Sequence, residues 1–321
     1  MMKSDAALTD KDIRNHYYEF QRNRADANGA YTADDFIFCY DADFVLEKGH
    51  DLFHHVPDFE QRYKKEISKP GAYNNQKLLL REMSYPPDKD GKILLRFGTI
   101  RYFEWLILRD WVTSPEDNPS AKYSDDLQVY LKAHQSDYTS AFNQNFGFSN
   151  CMWGMCGCGA WVVTNDNQLA YSKRSQVVRE RPGSFGYSSA GGCDRFVCDD
   201  DFHLSTDDKG HLIDNNPFIT IQNETAEELG VTVDDYAEPV KLISFGIDKT
   251  RALFQFSFFI RLNIDSNTLK QKAQAASSAW EQKTFITSFT HDSVKTLLTD
   301  PDYEMEPGAK VSLYHCLKEY C

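Results

Sequence analysis

Residues 217–231, PFITIQNETAEELGV, decide how the second half of the chain is read, because they separate into two faces when wound at about 100° per residue. Phe218, Ile221, Thr225 and Leu229 fall on one stripe, the face a helix turns toward a core. Asn216 can accept from the first unpaired backbone N–H groups, Pro217 suits the first helical position, and Gly230 suits a left-handed stop. Glu224, Glu227 and Glu228 lie at i, i+3 and i+4 on another side. Like charges at that spacing repel by a few tenths of a kcal/mol per pair in water. A solvated acidic face tolerates this, and so does a site for hard divalent cations such as Mg²⁺ or Mn²⁺, which prefer carboxylate and water oxygens.

Upstream of this helix, residues 151–163 (CMWGMCGCGAWVV), the turn Asn165-Asp166-Asn167 and the run QLAYSKRS at 168–175 form a strand, turn, strand pattern. SSAGG at 188–192 follows, then a long acidic stretch to Asn216 that includes Asp199, Asp200, Asp201, Asp207 and Asp208. It reads as a surface loop, since its acids lack the calcium-loop pattern. Downstream, residues 239–250 and 251–264 read as paired strands, residues 268–284 as a helix, and SVKTLL at 293–298 as a shorter one.

At Asn223-Glu224-Thr225-Ala226-Glu227-Glu228-Leu229-Gly230-Val231 the chain resembles the MutT-like Nudix hydrolase superfamily. The signature of that family runs Gly, five residues, Glu, seven residues, Arg-Glu-U-x-Glu-Glu-x-Gly-U, with U a bulky aliphatic. Glu224, Glu227, Glu228, Gly230 and Val231 keep their places, while Asn223 stands for the arginine and Thr225 for an aliphatic residue. The first half is degenerate: counting back puts Asn215 at the motif glutamate and Lys209 at the motif glycine. An insertion within 193–216 repairs the register, because 31 positions separate Gly192 from Asn223 against the motif's 14, which leaves 17 extra. Gly192 then becomes the motif glycine, and Asp214 is the acid nearest the first glutamate.

The resemblance covers residues 148–321 and implies an α+β fold overall. Its second part would be a Nudix-like α/β/α sandwich with a mixed sheet, preceded by a smaller α+β domain over 1–147 that shapes the substrate pocket or mediates dimerisation. It implies Mg²⁺ or Mn²⁺ held by the Gly192 carbonyl and by Glu224, Glu227 and Glu228, which are also the catalytic set. The substrate would be a nucleoside diphosphate linked to another group, cleaved by water attack on phosphorus, with the metal neutralising the diphosphate and activating the water. The general base varies in the family; Glu238, Asp265, Glu281 and Glu304 are the candidates. The missing arginine also suits a catalytically inactive Nudix module that binds a nucleotide or protein partner, and a scaffold whose work lies in the first half is a third reading.

Residues 173–181 carry Lys173, Arg174, Arg179 and Arg181 against Glu180, a local charge of +3. In the Nudix arrangement this hairpin borders the cleft, so Arg174 and Arg181 are expected to fork onto phosphate oxygens. Cations at an exposed strand edge also serve as plain protection. Phe185 and Tyr187, in a turn-rich loop, are candidates for stacking a base; Trp153 and Trp161 read as core. Cys151, Cys156, Cys158, Cys193 and Cys198 lack the paired knuckles of a zinc ribbon and read as reduced thiols that suit a buried strand, while Cys39, Cys316 and Cys321 read as buried or incidental. The adjacent His54 and His55 diverge on any regular element and have no third ligand at suitable spacing.

The first 70 residues are polar, acidic and aromatic without a catalytic motif. KILLRFGTIRYFEWLILRDWV at 92–112 reads as a buried strand followed by a short helix or second strand, and 114–126 as a loop. The chain has 321 residues, is 41% hydrophobic and 14% aromatic, and carries 35 basic against 48 acidic side chains for a net charge of -13. Such a composition excludes disorder, and the acidity argues against general nucleic-acid binding. No run reaches the roughly 18–20 apolar residues of a membrane span and no export signal opens the sequence, so the expectation is a cytoplasmic protein without membrane contact.

Overall fold

The computed structural model describes residues 17–19, 30–46, 58–69, 74–83, 92–112, 155–178, 181–193, 216–248 and 253–321. His54, His55, Cys151, Trp153, Arg179, Cys198, the 114–126 segment and residues 194–215 of the acidic stretch lie outside them. The fold is α+β, with six helices and a mixed sheet among the described residues. The strands are β1 (Tyr17–Glu19), β2 (Phe36–Leu46), β3 (Gln76–Met83), β4 (Ile93–Arg101), β5 (Met155–Val163), β6 (Gln168–Arg174), β7 (Phe185–Gly186), β8 (Ser189–Gly192), β9 (Lys241–Asp248), β10 (Leu253–Arg261) and β11 (Gln282–Ser288). The helices are α1 (Phe59–Ile67), α2 (Tyr102–Val112), α3 (Pro217–Leu229), α4 (Ser266–Ala275), α5 (His291–Thr299) and α6 (Pro307–Glu319).

Strand β5 is the axis of the sheet. Every one of its residues is buried, which is why CMWGMCGCGAWVV reads as a continuous apolar run instead of alternating. One edge pairs in parallel with β10 from Leu253↔Met155 to Arg261↔Val163. The other edge is shared in sequence by β3 at Met155, β8 at Gly157 to Ala160 and β6 at Val162 and Val163. The sheet then continues through β3 and β4 to β2, so strands from before and after residue 147 belong to one sheet.

Side chains of β5 alternate between two cores. Cys156, Cys158, Ala160 and Val162 face a cluster with Phe218, Ile221 and Leu229 of α3, Leu269 of α4, and Phe36, Leu78 and Phe97 of the first half. Trp161 and Val163 face the opposite side, packed with Val294, Leu297 and Leu298 of α5 and Leu313 and Cys316 of α6. Helices therefore cover both faces. Residues 92–112 divide into β4 and α2, the strand-then-helix alternative, and α2 closes a third cluster with Leu79, Ile100 and Met155.

The helix expected over 268–284 is a correction. Helix α4 ends at Ala275, residues 277–281 form a turn, and Gln282–Ser288 is a strand paired antiparallel with β6, Gln282 opposite Arg174. The turn is held from outside: the Ser278 N–H donates to the Glu227 carbonyl at 2.8 Å and the Ser175 N–H to the Glu281 carbonyl at 2.8 Å. Thr284, Phe285 and Ile286 suit a strand, and pairing with β6 outweighs the helical propensity of Lys270–Ala276 that suggested a longer helix.

Candidate functional site

Helix α3 forms where its caps predict. The Asn216 side chain accepts from the N–H groups of Phe218 (2.9 Å) and Ile219 (3.2 Å), and Gly230 ends the helix at φ 67°. With the stripe Phe218, Ile221, Thr225 and Leu229 buried, Glu224 and Glu228 point toward the end of β8. Glu228 is buried, and its Oε2 accepts from the Ala190 N–H at 2.8 Å. Glu224 is half-buried and lies directly over Gly191, where a Cβ would overlap its carboxylate; only glycine admits this approach. Glu227 is exposed.

Two groups outside the helix complete the cluster. Lys77 of β3 is buried, and its Nζ lies 3.3 Å from where a Cβ on Gly192 would stand. It is placed there by the Leu78 N–H, which donates to the Cys193 carbonyl at 2.7 Å and ties β3 to the end of β8. Glu281, carried by the turn before β11, interacts with Glu227, Arg174 and Lys77. Lys77 had no sequence signal beyond one cation in an apolar run, QKLLL.

The electrostatics follow from crowding like charges in a partly dry space. Burial first, then the charges of Glu228 and Glu227, push the Glu224 carboxyl well above the usual carboxylate range, with Lys77 opposing. Burial pushes Glu228 up to about 8, against the Ala190 N–H and Arg174, which favour its charged form. Glu281 is raised by burial, with Arg174 and Lys77 opposing and Glu227 reinforcing. Burial lowers Lys77 to about 8 despite Glu224. Carboxylates raised chiefly by burial, with neighbouring carboxylates adding to the rise, form a donor set of oxygens whose chemistry suits a hard divalent cation. Yet among the described residues no three His, Cys, Asp or Glu side chains are grouped so as to hold a metal ion. In this arrangement one oxygen of Glu228 is committed to Ala190, and Lys77 is the cation nearest the Gly192 end of the cluster.

The other expected residues divide. Arg174, at the end of β6, acts on Glu228 and Glu281. Arg181, at φ 44°, pairs with Asp248 at 3.6 Å and lines a cavity of about 360 Å³ with Lys173, Gln176 and Glu304. Gly192 ends β8 opposite Gly157. Among the candidate bases, Glu238 pairs with Lys241 at 2.7 Å, Asp265 caps α4 through the Thr268 N–H at 2.8 Å, and Glu304 lines the Arg181 cavity. Glu281 is the one placed with the α3 glutamates.

Of the two aromatics expected to stack a base, Tyr187 is closed to one and Phe185 is half-buried. Tyr187 is 1% exposed, its hydroxyl 2.6 Å from that of Ser257. The Phe185 ring packs on Tyr303 at 4.9 Å under the Lys173 ammonium. Cys156, Cys158 and Cys193 are buried and free, and burial raises the first two thiols, which keeps them protonated.

No family model matches the chain, and no curated protein matches it. Among solved structures it is similar to DR0079 from Deinococcus radiodurans at 16% identity and a TM-score of 0.24, over 35% of this chain and 57% of that one, a likeness too slight to bear on fold or function.

Proposed function

We propose that the chain is a metal-dependent pyrophosphohydrolase of Nudix type, acting in the cytoplasm on a nucleoside diphosphate derivative. The observation that carries this reading is the meeting of Glu224, Glu227, Glu228 and Glu281 with Lys77 and Arg174. Glu224, Glu227 and Glu228, with the Gly192 carbonyl, would hold Mg²⁺ or Mn²⁺, which when bound neutralises a diphosphate and acidifies water. Arg174 and Lys77 supply positive charge for phosphate oxygens, Arg174 as a fork and Lys77 as a point charge. Arg181, across the 174–184 loop, would meet the far end of the substrate once released from Asp248. Glu281 would take the proton from the attacking water: a carboxyl raised by burial is a stronger base than an exposed one, and Glu281 interacts with Glu227 of α3 without belonging to that helix. Desolvation of the cluster strengthens each of these interactions.

The test is a screen of dinucleotides, nucleotide sugars and nucleoside triphosphates with Mg²⁺ or Mn²⁺, read as release of nucleotide or phosphate. Glu281→Gln is expected to lower kcat on the order of 10²–10⁴-fold with little change in KM, as loss of a general base does. A folded Glu227→Gln, Glu228→Gln double variant with wild-type turnover would contradict the assigned metal set. The substitution of Asn223 for the motif arginine favours the second reading, a nucleotide- or protein-binding module without turnover; sustained metal-dependent hydrolysis excludes it.

A further inference from the structure

Helix α3 carries three glutamates and no lysine or arginine over Pro217–Leu229, so the charge that balances them has to come from other elements. Lys77 brings it from β3 and Arg174 from β6. Lys77 acts on Glu224 and Glu281, and Arg174 on Glu228 and Glu281. Ionised together, Glu224, Glu227, Glu228 and Glu281 set four negative charges against two positive ones. The excess of two is the charge of a single divalent ion.

The geometry gives the same count. Sites built for two metal ions hold them about 3.5–4 Å apart on shared oxygens. Here the Glu224 carboxylate lies directly over Gly191, and the Lys77 Nζ lies 3.3 Å from where a Cβ on the adjacent Gly192 would stand, so that end of the cluster already holds a cation. Lys77 is kept there: it is 7% exposed, its ammonium lies 5.9 Å from the centre of the Tyr102 ring, and the Leu78 N–H next to it donates to the Cys193 carbonyl at 2.7 Å. Glu228 gives one oxygen to the Ala190 N–H at 2.8 Å, which leaves it poorly placed to bridge two ions. The nearby Cys158 thiol, kept protonated by burial, adds no charge.

We propose that Lys77 takes the place of a second metal ion: the cluster holds one divalent cation, and the Lys77 ammonium supplies the fixed positive charge at the Gly192 end. This rests on the metal-dependent reading above and adds to it the metal stoichiometry and a role for β3, which lies outside the segment that resembles a Nudix domain.

The experiment titrates the chelator-treated full chain with Mn²⁺ near neutral pH, counting bound ions by calorimetry and reading their spacing by electron paramagnetic resonance. The wild type should bind one ion at the cluster, identified as the ion lost in the folded Glu227→Gln, Glu228→Gln variant, with the spectrum of an isolated Mn²⁺. Lys77→Met leaves an excess of three negative charges, which two divalent ions and one metal-bound hydroxide balance. It should therefore bind two ions and show the splitting of a coupled Mn²⁺ pair, and Lys77→Arg should return the count to one. A coupled pair in the wild type, or a folded Lys77→Met chain that still binds a single ion, overturns the inference and leaves the metal-dependent reading standing. Should Lys77→Met not fold, the wild-type count decides: an isolated ion supports the inference and a pair overturns it. If the wild type binds no ion at the cluster, both fall.

Discussion

Glu228 is a carboxyl that folding removes from water, so its charge counts against the folded state. Its folded pKa, about 8, lies above the 4.5 of a carboxyl in water, and the stabilisation it gives is complete below pH 4.5 and is lost as pH rises through 8. In the presence of a chelator, unfolding free energy from urea titrations should therefore fall between these pH values, with a limiting slope of about 1.4 kcal/mol per pH unit for each proton. Glu228→Gln should flatten the fall, and saturating Mg²⁺ should stabilise the wild type more at pH 8 than at pH 5, because the metal competes with protons for the same oxygens. A wild-type curve that rises across the window would contradict the burial argument. Lys77 acts from the opposite side of the cluster by favouring the ionised form of Glu224. Lys77→Met should move the acid limb of the kcat/KM profile to higher pH, and Lys77→Arg should hold it near the wild-type position. A merely structural lysine would change the height of that profile and leave its limb in place.

Helix α3 owes its start to one side chain. Asn216→Ala leaves the Phe218 and Ile219 N–H groups without their acceptor and is expected to cost about 1 kcal/mol, or about 2–4 °C in Tm by calorimetry. An unchanged melting temperature would mean that another group caps the helix. This element was legible before the structure because its signals are local: a cap, a stop and an apolar stripe at helical spacing all act within about four residues. The turn after α4 was not legible for the opposite reason. AQAASSAWEQK has the composition of a helix, and its conversion into a turn and a strand depends on Glu227, Ser175 and β6, which are distant in sequence.

Across the whole molecule the sheet joins parts that composition separates. Strands β2, β3 and β4 extend the sheet from β5, and Phe36, Leu78 and Phe97 share one core with Phe218 and Ile221. A chain beginning at residue 148 would lack Lys77 and expose the β5 edge and the Phe218 side of α3. It is expected to show no cooperative urea transition and to aggregate, as unpaired strand edges do. A sharp transition together with metal-dependent turnover would show instead that residues 148–321 suffice. By itself the sequence determined the capped helix, the placing of Glu224, Glu227 and Glu228 on one side of it and the hairpin before it. Each of these follows from geometry repeated every two or every 3.6 residues. Only the tertiary structure decided that Lys77 and Glu281 join those glutamates, that Arg174 reaches them while Arg181 pairs with Asp248, and that Tyr187 is buried. Those neighbours are set by strand order and register, and a single-residue shift of register turns each side chain to the other face.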